Sequence, residues 1–500
     1  MTKEGVSLPS NVAIIAGMAA GIISMALLDM WLNRHVEESE DPVEGLMEIG
    51  RRFSEKYAIA TEDLTKARQR FTDEAEKGLT AHDESAELKM IETFASSGTG
   101  LKRLSPGPYV VLDIQPDCFE LLLATLSSKK QISVSRRKRF AVPDMFQKGK
   151  SQNLFALYAS CIATHFPEFV NAQDAQVPIS VSFPQPYNQT ERSRGTILGW
   201  TKGYDLPDAI GKDFNDLLTA ELRKKRVENP IVALVNDTTA TFAAARLKGN
   251  KCRIGVVIEQ QGTNACYLER LSDGHKITKG ASVAVPGDAI KYKLVNTQWG
   301  EYKMSASIKL LEEEVAITRG LQNEYDLLTC GSTVTTLIAN EWAHLIDTEQ
   351  IRIETPSNNP LARLMLENVT FIVSDYTASM WKTERLLQEK FGIRCGLWTR
   401  LLLKQLCEIV LKRSAVLASI GVASLVHRSQ DSGQCAIALH GGLTQVPGYI
   451  NYMDHALSLA CPEIEISWDI HTRTDISCTS LGTSVCGAAA VANRLTGNQR

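Results

Sequence analysis

An α/β protein of two lobes, preceded by a hydrophobic helix, is what the sequence predicts, and three observations carry the prediction. Its 500 residues, 44% of them apolar, suffice for two cores of ordinary size. From residue 108 onward, short apolar runs bounded by turn residues alternate with segments of helical period, which reads as strands interleaved with helices. Ahead of both, residues 12–28, VAIIAGMAAGIISMALL, form an unbroken uncharged run.

That run is seventeen residues long, the lower limit for a helix that crosses a bilayer, and Asp29 ends it. Lys3 is the only basic side chain before it, offset by Glu4, and no A-x-A site follows. A retained anchor over residues 12–32 therefore fits better than a cleaved signal peptide. Gly17 and Gly21 give a GxxxG spacing that lets two such helices approach closely. An amphipathic or buried N-terminal helix is the alternative. EESEDP (37–42) reads as an acidic linker, and 43–93 carries the i, i+3/i+4 apolar spacing of helices.

Strands are expected at 108–114, 119–126, 131–136 and 177–183, with a helix near 151–165. GKDFNDLLTAELRKKR (211–226) reads as an amphipathic helix with a basic end, and PIVALVND (230–237) as an apolar strand ending on polar side chains. Chemistry in open α/β sheets sits just beyond such strand ends. Further strands are expected at 252–258, 265–270 and 435–439, a long helical stretch over 305–425, and a closing helix from about 482.

A net charge of −3 argues against a nucleic-acid or other polyanion partner. The basic runs RRKR (136–139) and RKKR (223–226) read as the solvated edge of a strand and a helix C-terminus, with an import or nucleic-acid patch as the alternative. Eleven cysteines without CxxC pairs or Cys/His clusters read as buried thiols in a reducing compartment, with no metal site.

Several motifs carry a resemblance: SFPQPYNQTERSRGTILGWTKGY (182–204), IVALVNDTTATF (231–242), IGVVIEQQGTNACYLE (254–269), TDEAEKGLTAH (72–82), KLVNTQWGEY (293–302), LCEIVLKRSAVLASIG (406–421), ALHGGL (438–443) and GTSVCGAAAVA (482–492). In this order the chain resembles the hexokinase family over 43–495. The resemblance implies the two-lobed actin-like ATPase fold, with residues 1–42 as anchor and linker, 43–240 as the N-terminal region including the small lobe, and 241–500 as mostly large lobe. It implies that Asp237 is the general base for the sugar 6-hydroxyl, that Ser182, Thr201, Lys202, Asn236 and Asn264 hold a glucose-like hexose, and that Mg-ATP is the cofactor if the chain is active. It also implies the outer mitochondrial membrane, facing the cytosol, as the location of a member with a hydrophobic N-terminus; the cytosol or another cytosol-facing membrane is the alternative. Independently of the family, an Asn-Asp pair at a strand end sets an amide beside a carboxylate, and Lys202 adds a charged donor for polyol hydroxyls. Taken alone, VND reads as an Asx cap of the following helix.

The chain also departs from the family's pattern. Two sugar-contacting glutamates fall on Gln298 in NTQWG and Asp326 in YDLLTCGS. Exchanging a charged for a neutral acceptor lowers sugar affinity by about 1–2 kcal/mol. The first phosphate loop, DLGGTNFR in the family, reads DIQPDCFE (113–120). Asp113 remains, but Gln115, Pro116 and Asp117 replace the glycines and the hydroxyl donor; proline offers no N–H. Asp117 and Glu120 add carboxylates, each expected to cost about 4 kcal/mol per phosphate charge at about 4 Å and an effective dielectric of about 20. The second loop, GTGTN in the family, reads Gln260-Gln261-Gly262-Thr263-Asn264. Gly441 and Gly442 on the adenosine side are retained, although such turns also serve packing. The expectation is a hexokinase-like chain with weakened hexose binding, impaired phosphoryl transfer and a regulatory or sugar-signalling role, with an active ATP-dependent hexokinase as the alternative.

If residues 12–32 anchor the chain, deletion of residues 1–34 releases it from membrane fractions on flotation; continued flotation of the truncated protein with membranes contradicts the anchor.

Overall fold

The computed structural model describes residues 43–80, 85–94, 106–128, 132–171, 177–247, 251–272, 274–277, 283–284, 291–429 and 433–471. The expected anchor over 12–32, the GTSVCGAAAVA stretch and the closing helix lie outside the described residues.

Two helices come first, α1 (Val43–Lys56) and α2 (Thr61–Thr80). Ala67, Phe71, Ala75 and Leu79 repeat at four-residue spacing and form the buried stripe of α2. After β1 (Ile91–Glu92), the strands β2 (Gly107–Ile114), β3 (Cys118–Leu126) and β4 (Ile132–Ala141) make an antiparallel meander. Helix α3 (Ser151–His165) leads to β5 (Ile179–Ser182), the hairpin β6 (Tyr187–Glu191) and β7 (Arg194–Ile197), α4 (Phe214–Lys224) and β8 (Ile231–Val235). Asp213 starts α4 by accepting from the Asn215 and Asp216 N–H groups at 2.9 and 3.2 Å. The IVALV of β8 is buried at all five positions.

Helix α5 (Asp237–Leu247) opens the second half, followed by β9 (Ile254–Ile258), β10 (Thr263–Arg270), β11 (Val283–Ala284) and β12 (Lys291–Asn296). Then come α6 (Glu312–Thr318), α7 (Glu324–Thr329), α8 (Gly331–Asp347), β13 (Ile353–Glu354), α9 (Leu366–Val373), α10 (Trp381–Leu386), β14 (Arg394–Cys395) and α11 (Leu397–Ser429). Strand β15 (Gln434–His440), α12 (Tyr449–Ala460) and β16 (Glu465–His471) complete the described chain.

The same strand order occurs twice. The first sheet runs β4-β3-β2-β5-β8, and the second runs β12-β10-β9-β15-β16 with β1 and β11 on β12. In each, a three-strand meander is extended by two strands parallel to its first member. The first sheet owns one core, from Val110 to Leu234. The second shares a larger core with α1, α2 and α11. Helix α11 is long and apolar enough to cross a membrane, but 83% of its most apolar stretch is buried inside the protein, which makes it a core helix.

Several expectations need correction. The helical stretch over 305–425 is broken into six helices and a small two-stranded sheet, because turns at Arg319–Asn323 and from Glu349 onward interrupt the period. The strand expected at 131–136 reaches Ala141, paired with β3 as far as Cys118, with Arg137 and Arg139 beside Glu120 and Asp117. The hairpin β6–β7 and strands β12 and β16 were not foreseen. RRKR does form the edge strand β4, and RKKR does end α4. All nine described cysteines are free and seven are buried.

A buried ion pair fixes α11. Arg413 forks the Glu314 carboxylate at 2.6 and 2.7 Å and donates to the Tyr57 carbonyl at 3.2 Å. Arg413→Ala, which strands Glu314, is expected to lose about 3–5 kcal/mol of unfolding free energy in denaturant melts. The double change Arg413→Met with Glu314→Leu is expected to lose much less. Equal losses in both contradict this account.

Candidate active site

The strand ends that face one another between the two sheets collect most of the expected sugar residues. Asn236 ends β8 and Asp237 begins α5. The Asp237 Oδ1 accepts from the Thr238 N–H at 2.8 Å, which leaves Oδ2 facing Lys202 Nζ at 3.5 Å. Lys202 Nζ also donates to the Pro184 carbonyl at 3.2 Å. Its aim comes from a tight turn: Lys202 and Gly203 both have positive φ, 59° and 86°, and the Tyr204 N–H donates to the Thr201 carbonyl at 3.2 Å, as in a type I′ turn. Gln185, buried, clamps Thr201 by accepting from its N–H and hydroxyl at 2.8 and 2.9 Å. Ser182 is buried at the end of β5, in register with Asp113 and Val235.

From the second sheet, Asn264 donates to Asn236 Oδ1 at 3.3 Å and to Asn296 Oδ1 at 2.9 Å. Asn296 Oδ1 accepts from the Gln298 N–H at 3.2 Å. Gln298 is left-handed, φ 47°, and its side-chain Nε2 is buried without a hydrogen-bond partner. Asp326 accepts from the Thr263 N–H. Burial pushes its carboxyl up to about 6 against the pull of Lys202 and the Thr263 N–H, with Asp237 adding repulsion. Gly262 passes between these groups. A Cβ there would lie 2.8 Å from Lys202 Cε and 3.0 Å from either Asp326 oxygen, so glycine is required by close approach.

The groups expected to hold the nucleotide behave differently. Gln115-Pro116-Asp117-Cys118 is a tight hairpin connection, closed by the Gln115 N–H donating to the Cys118 carbonyl at 2.9 Å. Gln115 Nε2 reaches Asp113 Oδ2 at 3.4 Å. The anticipated repulsion by Asp117 and Glu120 needs correction. Arg137 forks Glu120 at 2.9 and 3.0 Å, and Arg139 approaches Asp117 at 3.8 Å, so β4 supplies a cation for each acid. What the loop lacks is the N–H at Pro116, and the Gln115 N–H is spent within the hairpin. The buried Cys118 thiol, pushed up to about 12 by burial, is no reactive thiolate.

In the second loop Gln261 is exposed, while the Thr263 hydroxyl is engaged by Thr329 Oγ1 at 2.7 Å and by the Trp299 indole N–H at 3.1 Å. Thr263 thus belongs to the Asp326 side. Gly441, φ 127°, crosses so close to β9 that a Cβ would meet the Ile258 carbonyl at 2.1 Å, a packing role. The Gly442 N–H donates to Glu259 Oε2 at 3.0 Å. Among the described residues no group of three His, Cys, Asp or Glu side chains could hold a metal ion. Taken together, these groups do not fit a magnesium-bound polyphosphate: the first hairpin has proline where a donor is needed, the Thr263 hydroxyl is committed elsewhere, and a carboxylate already uses the Gly442 N–H.

Sequence reasoning missed Gln185, Asn296, Arg137 and Glu259. Asn296, Gln185 and Glu259 lay within the NTQWG, SFPQPYNQ and IGVVIEQQG motifs without a role assigned to them, and Arg137 lay in RRKR, diagonal to Glu120 across the strand pair.

Two hexokinase family models match residues 50–247 and 330–493, together well over half of the chain. The chain belongs to the hexokinase family. Hexokinase HKDC1 of Mus musculus is 26% identical over 432 residues, covering 82% of this chain and 45% of the relative. Hexokinase-3 of Oryza sativa is 26% identical over 470 residues, covering 89% and 90%. The chain thus spans about half the length of the mammalian hexokinases it matches. Among solved structures, the Schistosoma mansoni hexokinase complexed with glucose has a TM-score of 0.75 at 19% identity, covering 89% of this chain and 99% of that one. This likeness agrees with the two-lobed hexokinase fold described above.

The raised Asp326 carboxyl has a pH consequence. Its folded value, about 6, exceeds the ordinary 3.8, so the protonated form favours folding. That contribution is fully present below about 4 and is lost as pH rises through 6. Asp326→Asn is therefore expected to be more stable than wild type at pH 8, by about 3 kcal/mol at most, with no gain at pH 4. Denaturant melts at both values check this, and an equal effect at both contradicts it.

Proposed function

We propose that this hexokinase-family chain binds a glucose-like hexose at the Asp237–Lys202 cluster and is impaired in phosphoryl transfer, serving a regulatory or sugar-signalling role. The observation that carries the reading is the asymmetry between the two halves of the cleft. On the hexose side, Asp237, Lys202, Asn236, Asn264, Gln298 and Asp326 converge in hydrogen-bonded order. The buried, unpartnered Gln298 Nε2 is a donor that a sugar hydroxyl oxygen satisfies, and an unsatisfied buried donor costs about 1–3 kcal/mol. The glucose-bound state of the Schistosoma relative, similar over nearly its whole length, supports the ligand class. Asp237 Oδ2 would accept the proton of the 6-hydroxyl, while Lys202, Asn236 and Thr201 orient the ring.

On the nucleotide side, Pro116 and the engaged Gly442 N–H remove donors that phosphoryl transfer depends on for positioning and charge stabilisation. For location, the uncharged run at 12–28 supports attachment to a cytosol-facing membrane, with the mitochondrial outer membrane as the family's precedent. An active hexokinase is the second reading, favoured by the intact Asp237–Lys202 pair and by the arginines that neutralise Asp117 and Glu120.

Glucose-6-phosphate production by the full chain with Mg·ATP at millimolar glucose separates the two. The proposed function expects a rate within about tenfold of Asp237→Ala. Robust turnover abolished by Asp237→Ala ends the impaired reading in favour of the active one.

A further inference from the structure

Strands β9 and β15 are parallel neighbours, with Val257 opposite His440, so their carbonyl ends finish side by side. Two residues past each partner stand Glu259 and Gly442, and here the chain places a carboxylate of its own on a backbone donor. Glu259 Oε2 accepts from the Gly442 N–H at 3.0 Å, and Oε1 lies 3.1 Å from His440 Nε2. Both side chains are largely buried, at 19% and 10% exposure.

The backbone fixes the direction of that carboxylate from both ends. The Glu259 N–H donates to the Gly262 carbonyl at 2.9 Å, and its own carbonyl accepts from the Gly331 N–H at 3.0 Å. The turn that receives it is equally constrained. Gly441 cannot move toward β9, since the Ile258 carbonyl already fills the space of a Cβ, and a Cβ on Gly442 would lie 3.3 Å from Glu259 Oε2.

We propose that Glu259 is a specificity-determining residue, an intramolecular anion that closes the nucleotide side against phosphate-bearing ligands. A phosphate oxygen that sought the Gly442 N–H would meet a carboxylate in the same place, and two like charges at hydrogen-bond range cannot both stay ionised and paired to one donor. The ligand must displace Glu259 and strip it of two charge-assisted bonds. The exclusion is selective by charge: at this adenosine-side turn an uncharged nucleoside meets no like-charge repulsion from Glu259. The inference rests on the reading that the nucleotide side is impaired, and it names one residue responsible beside Pro116.

The test is calorimetric titration of the full chain, without sugar, using Mg·ADP, Mg·ATP, inorganic pyrophosphate and adenosine. Glu259→Gln keeps shape and removes charge; it is expected to raise affinity for the three phosphate ligands about tenfold to a hundredfold and to leave adenosine unchanged. His440→Ala loosens the same turn but keeps the carboxylate, and is expected to give no gain. If Glu259→Gln does not fold, by thermal melting, Glu259→Ala is read in the same way. Unchanged phosphate affinity, an equal gain for adenosine, or an equal gain in His440→Ala overturns the proposal. Because the readout is a ratio of affinities without turnover, it stays defined if the wild type phosphorylates glucose, a result that ends the functional reading alone.

Discussion

A row of three buried asparagines joins the two sheets of this protein, and the rest of the site takes its position from it. Asn236 stands at the end of the first sheet, Asn264 on the second strand of the second sheet, and Asn296 at the end of β12. Amides serve here because each offers donors and an acceptor, so a chain of them across a buried junction leaves no stranded charge. Asn236 Oδ1 also receives the Thr238 N–H and hydroxyl at 3.1 and 2.7 Å, which fixes the first turn of α5 and with it Asp237. At the other end Asn296 holds the backbone of Gln298. One polar thread thus positions both Asp237 and the Gln298 wall of the proposed hexose site.

That thread ties the packing between the lobes to the proposed hexose site, whereas the phosphate loops depart from the family's pattern. The divergence is not the one that charge counting anticipates. Asp117 and Glu120 look hostile to a polyphosphate until β4 is seen to bring Arg139 and Arg137 beside them. Geometry then outweighs net charge: a proline in the first hairpin, a Thr263 hydroxyl committed to Thr329 and Trp299, and a carboxylate already seated on the Gly442 N–H. The same glycine-rich turn that a nucleotide would use is kept for an internal reason, the contact of Gly441 with the Ile258 carbonyl.

Much of the fold was legible because its strands are short, apolar and bounded by polar turns: β2, β3, β5, β8, β9 and β15 all lie within a few residues of their expected places. Strands β6 and β7 were not legible, since YNQTE and RGTI carry too little apolar alternation; EISWDIH of β16 does alternate, and that signal was overlooked. The helical stretch after residue 305 reads as continuous on its apolar spacing, although Gly320, Pro356, Pro360, Gly392 and Gly396 mark its breaks. Of the site, Asp237, Lys202, Asn236 and Asn264 could be named from motifs. Gln185 and Glu259 could not, because their roles come from facing Thr201 and Gly442 across the fold rather than from any local pattern.

The central claim is that the hexose side is assembled while the nucleotide side is closed. The most direct measurement is isothermal titration of one wild-type preparation, first with glucose and then with Mg·ATP at saturating glucose. The account predicts saturable glucose binding in the millimolar range and nucleotide binding weaker than that by about tenfold or more. Tight, magnesium-dependent nucleotide binding, or the absence of any sugar heat, contradicts it.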